Sequence, residues 1–590
     1  MDARSESLPV QRGQRAAATW VRSSDTGLLL VSLLIGAGAG VGAVVFRWLI
    51  GEFTRLLSGH RDYSIAGHAP HPGLPELGMY FVIGAPVVAG LVYGPLVYFF
   101  AREARGHGVP EVMYAVAQRG GRIAPQVAVV KALASAVCIG GGGSVGREGP
   151  IVQIGSALGS TVGSLVRLNE ERMRVVVACG AAGGIAATFN APLAGVFFAM
   201  ELILSDFAAR SFGMVVISSV TASLIGRGVF GNNPFLHLPS FAVVHVWEYL
   251  PFAVLGVLAG AVGVLFTRVL YAVEDGCDAI WRGPEWARPA VGGLLLGLLL
   301  LAVPQMYGVG YPVLGNGVAG KYTIAFLVLL MSAKMFATSL TIGIGGSGGV
   351  FAPSLFIGAM FGAAFGQTLA HLAPGLHGQA GAFGLIGMGA VFAGAARAPI
   401  TAVVIMFELT GEYSIILPLM IAIVLATGIS NLLTGDTIYT LKLRRRGIDL
   451  THRPSPMASL LQSPVSAVMA PVPQPLPESC PLLQAAERLR DTADAILPVV
   501  DDRGSYRGVV TGRLVADILT TEDGESKTVA DATENPPSVR STQTLEAVID
   551  LVDHVGTAVV PVLDDNGNRL VGWLTAGRVL AAIRPGQASQ

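Results

Sequence analysis

The sequence predicts an all-α polytopic membrane fold made of two inverted repeats with broken helices, followed by a small α/β tail. Three observations predict it. The 590-residue chain is 52% hydrophobic and only 13% charged, unlike a soluble multidomain protein. Long stretches carry no Asp, Glu, Lys or Arg: Gly27 to Phe46, Leu77 to Ala101, Pro289 to Gly320 and the 62 residues from Met335 to Ala396. About 20 apolar residues suffice to cross the ~30 Å hydrocarbon core, so a soluble fold is excluded. Finally, the 76 glycines are clustered, as in IGGGGSVGREG at 139–149, a run that no continuous helix would use. Irregular backbone at membrane depth is tolerated only where it is buried or lines a wet cavity. The glycine breaks therefore mark the functional interior.

Taken in order, residues 1–25 carry Arg4, Arg12, Arg15 and Arg22 without the apolar core of a secretory signal, and read as a cytosolic tail. Residues 26–240 and 241–450 form two membrane repeats. Lys442, Arg444, Arg445 and Arg446 close the second, and the positive-inside rule places them in the cytosol as well. Residues 451–464, with Pro454, Pro456 and Pro464, form a linker to a polar tail at 465–590. The four cysteines, Cys138, Cys179, Cys277 and Cys480, lie far apart with no CxxC spacing, so neither a metal site nor a disulfide framework is expected.

The two repeats are read from three matches at nearly one offset. GHGV at 106–109 faces GNGV at 315–318; GREGPIVQIGSALG at 146–159 faces GVFAPSLFIGAMFG at 349–362; NAPLAGVFFAMEL at 190–202 faces RAPITAVVIMFEL at 397–409. Two cytosolic tails fit an odd number of crossings per copy, which makes the repeats inverted in the membrane. In each conspicuous motif a glycine turn precedes a helix, expected from Glu111, Ile151 and Ser354 onward. Pro110, Pro150 and Pro353 suit a first helical turn. Unpaired N–H groups and the positive end of the helix dipole attract an anion there without a full charge, which leaves it free to depart.

GHGVP at 106–110, GREGP at 146–150, GGVFAP at 348–353 and Tyr439 in TIYTLKLRRRG together resemble the signature segments of the CLC chloride channel and transporter family. The resemblance runs from about residue 26 to the C-terminus. It implies a homodimer in the cell inner membrane, with one anion pathway per subunit and chloride or a similar small anion as cargo; no nucleic acid is expected. By matched position Glu148 is the gating glutamate, and His107, Gly108, Val109, Gly149, Val350 and Phe351 surround the anion. The Tyr439 hydroxyl closes a central site.

The residues support Glu148 independently, because an ionisable group among glycines inside an apolar repeat is a functional candidate. Its carboxylate can occupy an anion site and vacate it on protonation, which couples gating to pH; the competing reading is a simple pair with Arg147. Tyr439 has the competing reading of an interfacial aromatic. Glu201 and Glu408 hold the same place in the two halves, and that duplication favours helix contacts for both.

Two positions depart from the family pattern. His107 stands where serine is usual. Leu202 stands where coupled exchangers typically carry an intracellular proton-accepting glutamate, and leucine carries no proton. The expected function is accordingly a gated chloride channel, with proton-coupled chloride exchange as the alternative. A fluoride exporter is disfavoured by Tyr439 and by the proline of GREGP, and a membrane-anchored sensor by the duplicated breaks. No enzyme is expected: in the tail His554 is the only histidine and no catalytic set is visible.

Within the tail, AILPVVDDRGSYRGVVT at 495–511 recurs as AVVPVLDDNGNRLVGWLT at 558–575, strand, acidic turn and strand in each. This resembles a CBS domain pair, which in this family docks beneath the membrane part and often binds adenine nucleotides. The aspartate that commonly holds a ribose is replaced by Leu514 and Arg578, so dimer support is expected over nucleotide binding, and no cofactor is assigned.

Overall fold

The computed structural model describes residues 24–232, 249–372, 380–449, 461–492, 494–548 and 559–575, with Arg22 and Trp247. His554 and Arg578 lie outside the described residues. The chain divides into two compact units, residues 1–450 and 451–590.

Among the described residues the first unit has two sets of eight helices. The first set is α1 (Asp25–Ser58), α2 (Phe81–Phe100), α3 (Val109–Gln118), α4 (Gln126–Gly140), α5 (Glu148–Val166), α6 (Glu170–Phe189), α7 (Pro192–Phe198) and α8 (Ala209–Phe230), with α7 continued by a π-helical turn at Ala199–Leu204. The second is α9 (Tyr249–Ile280), α10 (Arg288–Ala302), α11 (Tyr311–Val318), α12 (Ile324–Gly343), α13 (Phe351–Leu372), α14 (Ala380–Ala396), α15 (Pro399–Thr410) and α16 (Ile416–Leu433). A short α17 (Thr440–Arg445) follows. Among the described residues eight stretches are long and apolar enough to cross a membrane; α3, α7 and α11 are far too short to do so.

The two sets pack alike. Where α5 crosses α6, a Cβ at Gly180 would lie 1.9 Å from the carbonyl oxygen of Gly155; where α13 crosses α14, one at Gly387 would lie 2.4 Å from that of Gly358. Both crossings close to backbone contact because the side chains are absent, the usual route to tight packing in lipid. α6 ends at Asn190 (φ 58°) and α14 at Arg397 (φ 52°), both left-handed. Asparagine tolerates that conformation. Arginine is held in it by guanidinium hydrogen bonds to the carbonyls of Ser430, Thr434 and Gly435.

The register between the halves is visible where they touch. Gly146 and Gly349 exchange two backbone hydrogen bonds, of 2.7 and 2.6 Å, in antiparallel fashion. These two residues are equivalent in the repeat, so a local two-fold axis passes between them and the halves are inverted. One match changes. GNGV at 315–318 forms the last turn of α11, and the structural partner of GHGVP is GVGYP at 308–312. Gly106 and Gly108 (φ 79° and 82°) correspond to Gly308 and Gly310 (φ 64° and 84°), each pair leading into a short helix with proline in its first turn. The shared pattern is G-x-G-x-P; the notch of two left-handed glycines matters more than the residue between them.

In the second unit, β1 (Leu476–Pro477) pairs in parallel with β2 (Ile496–Val500), which pairs antiparallel with β3 (Tyr506–Thr511); β4 (Val539–Arg540), β5 (Val559–Leu563) and β6 (Leu570–Thr575) repeat this order. α18 (Leu482–Arg490) and α19 (Gly512–Leu519) complete the first lobe. The hairpins turn on Asp501 and Asp564. Asp501 accepts from the amides of Arg503 and Ser505, and Asp564 from those of Asn568 and Arg569; these bonds hold both carboxyls below the usual carboxylate range. Val509, Val559 and Trp573 pack the lobes together, and Leu514 packs against the core of the first.

Candidate functional site

Four glycine turns converge in the middle of the first unit. Gly106 donates its amide to Gly346 O at 3.0 Å and accepts from the amide of Gly348 at 3.3 Å, which ties the turn before α3 to the turn before α13. The turn before α5 is tied to the same segment through Gly146 and Gly349. At Gly149 a Cβ would lie 1.9 Å from His107 O and 3.0 Å from Gly349 Cα. The starts of α3, α5 and α13 are thereby brought to one place, and each presents amides that have no partner within its own helix.

Two buried lysines set the turns. Lys131 of α4 donates to the carbonyls of Ala104 (2.9 Å) and Gly106 (2.8 Å). Lys334 of α12 donates to Gly308 O (3.0 Å), Val309 O (3.0 Å) and Ser144 Oγ (2.9 Å). They are partners in the repeat, and each gathers the carbonyls of its own G-x-G turn. Both are fully buried. Serines complete the joint: Ser135 and Ser347 share a 2.8 Å hydroxyl contact, Ser347 Oγ donates to Ala104 O at 2.7 Å, and Thr338 Oγ1 donates to Ser144 O at 2.8 Å. With carbonyls drawn toward ammonium groups, the amides of the turns and helix starts are left facing the site.

The helices begin two to three residues earlier than the sequence suggested, at Val109, Glu148 and Phe351 rather than at Glu111, Ile151 and Ser354. The prolines lie at the second or third helical position, which also needs no N–H. This shift makes Glu148 the first residue of α5 and Phe351 the first of α13. Glu148 is 1% exposed, and its carboxylate folds back over Gly146. A Cβ at Gly146 would meet Glu148 Oε2 at 2.2 Å and the amide nitrogen of Ala352 at 3.3 Å. The carboxylate thus lies at the head of α13, near the amide of Ala352, with Oε2 buried and without a hydrogen-bond partner. Its other oxygen accepts from the Tyr311 hydroxyl. Arg147 lies over the Tyr311 ring, 5.0 Å from its centroid, and the partner that the structure gives Glu148 is Tyr311.

The remaining sequence-derived positions surround this point. Val350, Phe351 and Tyr439 are buried; Phe351 packs edge-on against Phe392 at 4.5 Å and near Phe189 and Phe198. Gly108 and Val109 form the start of α3, and Gly149 the second residue of α5. The His107 ring is 1% exposed, both of its nitrogens are buried without a hydrogen-bond partner, and it packs edge-on against Tyr271 at 6.2 Å. Tyr271 donates to Ile438 O at 2.7 Å, beside Tyr439. Leu202 is buried at the π turn after α7. Its neighbour Glu201 accepts from the amides of Ile400 (3.1 Å) and Thr401 (2.8 Å) and from the Thr401 hydroxyl (2.7 Å). Glu408 accepts from the amides of Leu193 (2.9 Å) and Ala194 (2.7 Å). Each caps the helix that carries the other, α15 and α7, so the paired glutamates serve helix contacts.

Tyr311, Lys131 and Lys334 were not singled out by sequence. Lys131 and Lys334 were detectable as lone charges at equivalent places between apolar stretches. Tyr311 gives no such signal.

These features define a polytopic membrane protein of the inverted-repeat, broken-helix class, whose helix starts converge on a buried carboxylate. Residues 89–431 match the family model described as voltage gated chloride channel, and residues 465–519 and 529–585 match the CBS domain. The chain is 31% identical over 431 residues to a putative chloride channel protein, ClcB-like, of Ralstonia nicotianae, covering 72% of this chain and 99% of that protein. It is 38% identical over 363 residues to the H(+)/Cl(−) exchange transporter ClcA of Vibrio parahaemolyticus, covering 59% and 76%. Among solved structures, a slow cyanobacterial Cl−/H+ antiporter superposes with TM-score 0.62 at 25% identity, over 71% of this chain and 97% of that one. A eukaryotic CLC transporter shares the fold at TM-score 0.60 and 21% identity, over 93% and 97%. The chain belongs to the CLC family and carries a C-terminal CBS pair.

Proposed function

We propose that this protein exchanges chloride for protons across the membrane as a homodimer, with Glu148 serving both as the anion gate and as the proton carrier. The observation that carries this reading is the place of the Glu148 carboxylate at the head of α13, where an anion would sit. Deprotonated, it competes with chloride for the same amides; protonated, it loses its charge and yields the place. One group then binds either a proton or, by withdrawing, admits an anion, which is the linkage that exchange needs. The exchange transporters among the relatives support this alternative over the gated channel.

A passive channel remains the second reading, favoured by Leu202. Glu201 does not replace the missing carboxylate, since three donors already occupy it. Under exchange, protons therefore reach Glu148 through water. Purified protein in liposomes with an outward chloride gradient is expected to drive protons uphill; chloride flux with no proton movement would establish the channel instead.

His107 contributes selectivity. Its unpartnered ring offers an N–H donor where the family usually has a hydroxyl. His107→Ser is expected to change the chloride-to-nitrate preference several-fold, read as competitive uptake into liposomes. Equal preferences in variant and parent would place the ring outside the anion's path. In the tail, Leu514 supplies no acceptor for a ribose, which supports a role for the CBS pair in holding the dimer rather than in binding adenine nucleotide.

A further inference from the structure

The turn at 308–312 has no assigned part in transport, yet its tyrosine reaches the gate. We propose that Tyr311 is a positioning residue for Glu148: its hydroxyl donates to the carboxylate and holds the side chain over Gly146, in the anion's place. This rests on the reading of Glu148 as the gate.

The geometry is over-determined. Tyr311 is the first residue of α11 and the repeat equivalent of Val109. Lys334 fixes the turn that precedes it by binding Gly308 O and Val309 O, and Gly310 is left-handed, so the chain turns sharply just before Tyr311. The Arg147 guanidinium covers the ring, within the ~6 Å at which cation–π attraction acts. The phenol is therefore clamped from its backbone and from its face, and its hydroxyl points at one group. In the first half the same position is apolar, so the hydroxyl is a one-sided addition to a symmetric scaffold.

The charged and titratable groups that act on Glu148 are Arg147 on its own helix start, Tyr311 of α11, Lys334 of α12 and Tyr439, with Arg47 of α1 acting on Arg147 and Tyr311. Of these, Tyr311 donates a side-chain hydrogen bond to the carboxylate. A donor to a carboxylate stabilises its charged form, which here is the blocking form. Tyr311 thus sets how readily the gate yields to chloride and at what pH.

The test is chloride flux and proton coupling in liposomes, measured across pH for Tyr311→Phe, alone and combined with Glu148→Gln. Tyr311→Phe keeps the ring beneath Arg147 and removes the donor. It is expected to raise flux at neutral pH by about tenfold and to move the flux profile upward by about one pH unit, the factor corresponding to one charge-assisted hydrogen bond. In the Glu148→Gln background the same substitution is expected to change nothing. Incorporation of 3-fluorotyrosine at 311, a stronger donor, is expected to move the profile downward, a bidirectional response that a purely structural ring would not give. An unshifted profile in Tyr311→Phe, or an equal shift with and without Glu148, overturns the proposal while the gate assignment stands. A profile untouched by Glu148→Gln itself removes the gate assignment and this proposal with it.

Discussion

Glu148→Gln is expected to stop proton movement altogether while chloride still flows, at a rate that no longer depends on pH. The amide has the shape of the protonated acid and none of its titration. Glutamine therefore mimics the yielded gate permanently, and no group at the head of α13 remains to carry a proton. Glu148→Ala should go further, because it empties the space over Gly146 that the carboxylate fills. In liposomes, proton flux should fall to the level of empty vesicles. Retention of the parent pH profile in both variants would remove Glu148 from the mechanism and leave the convergence of helix starts without a gate.

The second large effect is expected at Lys334. Its ammonium group satisfies two buried acceptors and a third that is half-buried, and Lys334→Met would leave Gly308 O, Ser144 Oγ and Val309 O short of a donor at once. Each unsatisfied buried acceptor costs about 1–3 kcal/mol. Removing the buried charge returns part of this by relieving its desolvation. The acceptors outnumber the charge, so a net loss of roughly 2–5 kcal/mol is expected, read as a lowered unfolding temperature in detergent. Because the same turn carries Tyr311, the surviving fraction should also show a flux profile displaced in the direction of Tyr311→Phe. Lys131→Met, acting on the opposite turn, should destabilise comparably without that displacement. Stability equal to the parent in Lys334→Met would mean that the turn is held by other contacts.

Much of this architecture was readable because membranes constrain sequence strongly. Charge-free stretches gave the spanning helices, and glycine clusters gave the breaks, since lipid tolerates neither charge nor loose backbone elsewhere. The errors have equally definite causes. The expected helix starts fall late because a reading that begins each helix after Pro110, Pro150 and Pro353 leaves the prolines with the glycine turns, whereas proline is accommodated within the first helical turn. GHGV and GNGV agree in three of four letters, but 315–318 are an ordinary helical turn; the structural partner GVGYP shares G-x-G-x-P, a pattern whose meaning lies in its two left-handed glycines. Glu148 was legible as a charge in a place where charges are expensive. Tyr311 was not: an aromatic residue in an apolar run has the appearance of packing, and its hydroxyl acquires meaning only when residues 163 apart in sequence are folded together. Glu201 and Glu408 were read as structural from their duplication alone, and the reciprocal caps supply the reason.

Those caps bear on how the chain is made. Glu201 finds its donors about 200 residues later, the amide of Ile400 being 199 positions on, and the start of α7 must await Glu408. While the ribosome is still producing the second half, the first carries an acid with nothing to bind and a helix end with nothing to cap it. Its late helices are thus left incomplete in the bilayer until their counterparts arrive, and a chain cut between the halves has one obvious remedy: two copies, facing opposite ways, each lending its glutamate to the other. An ancestor of half the length would have had to assemble in that manner.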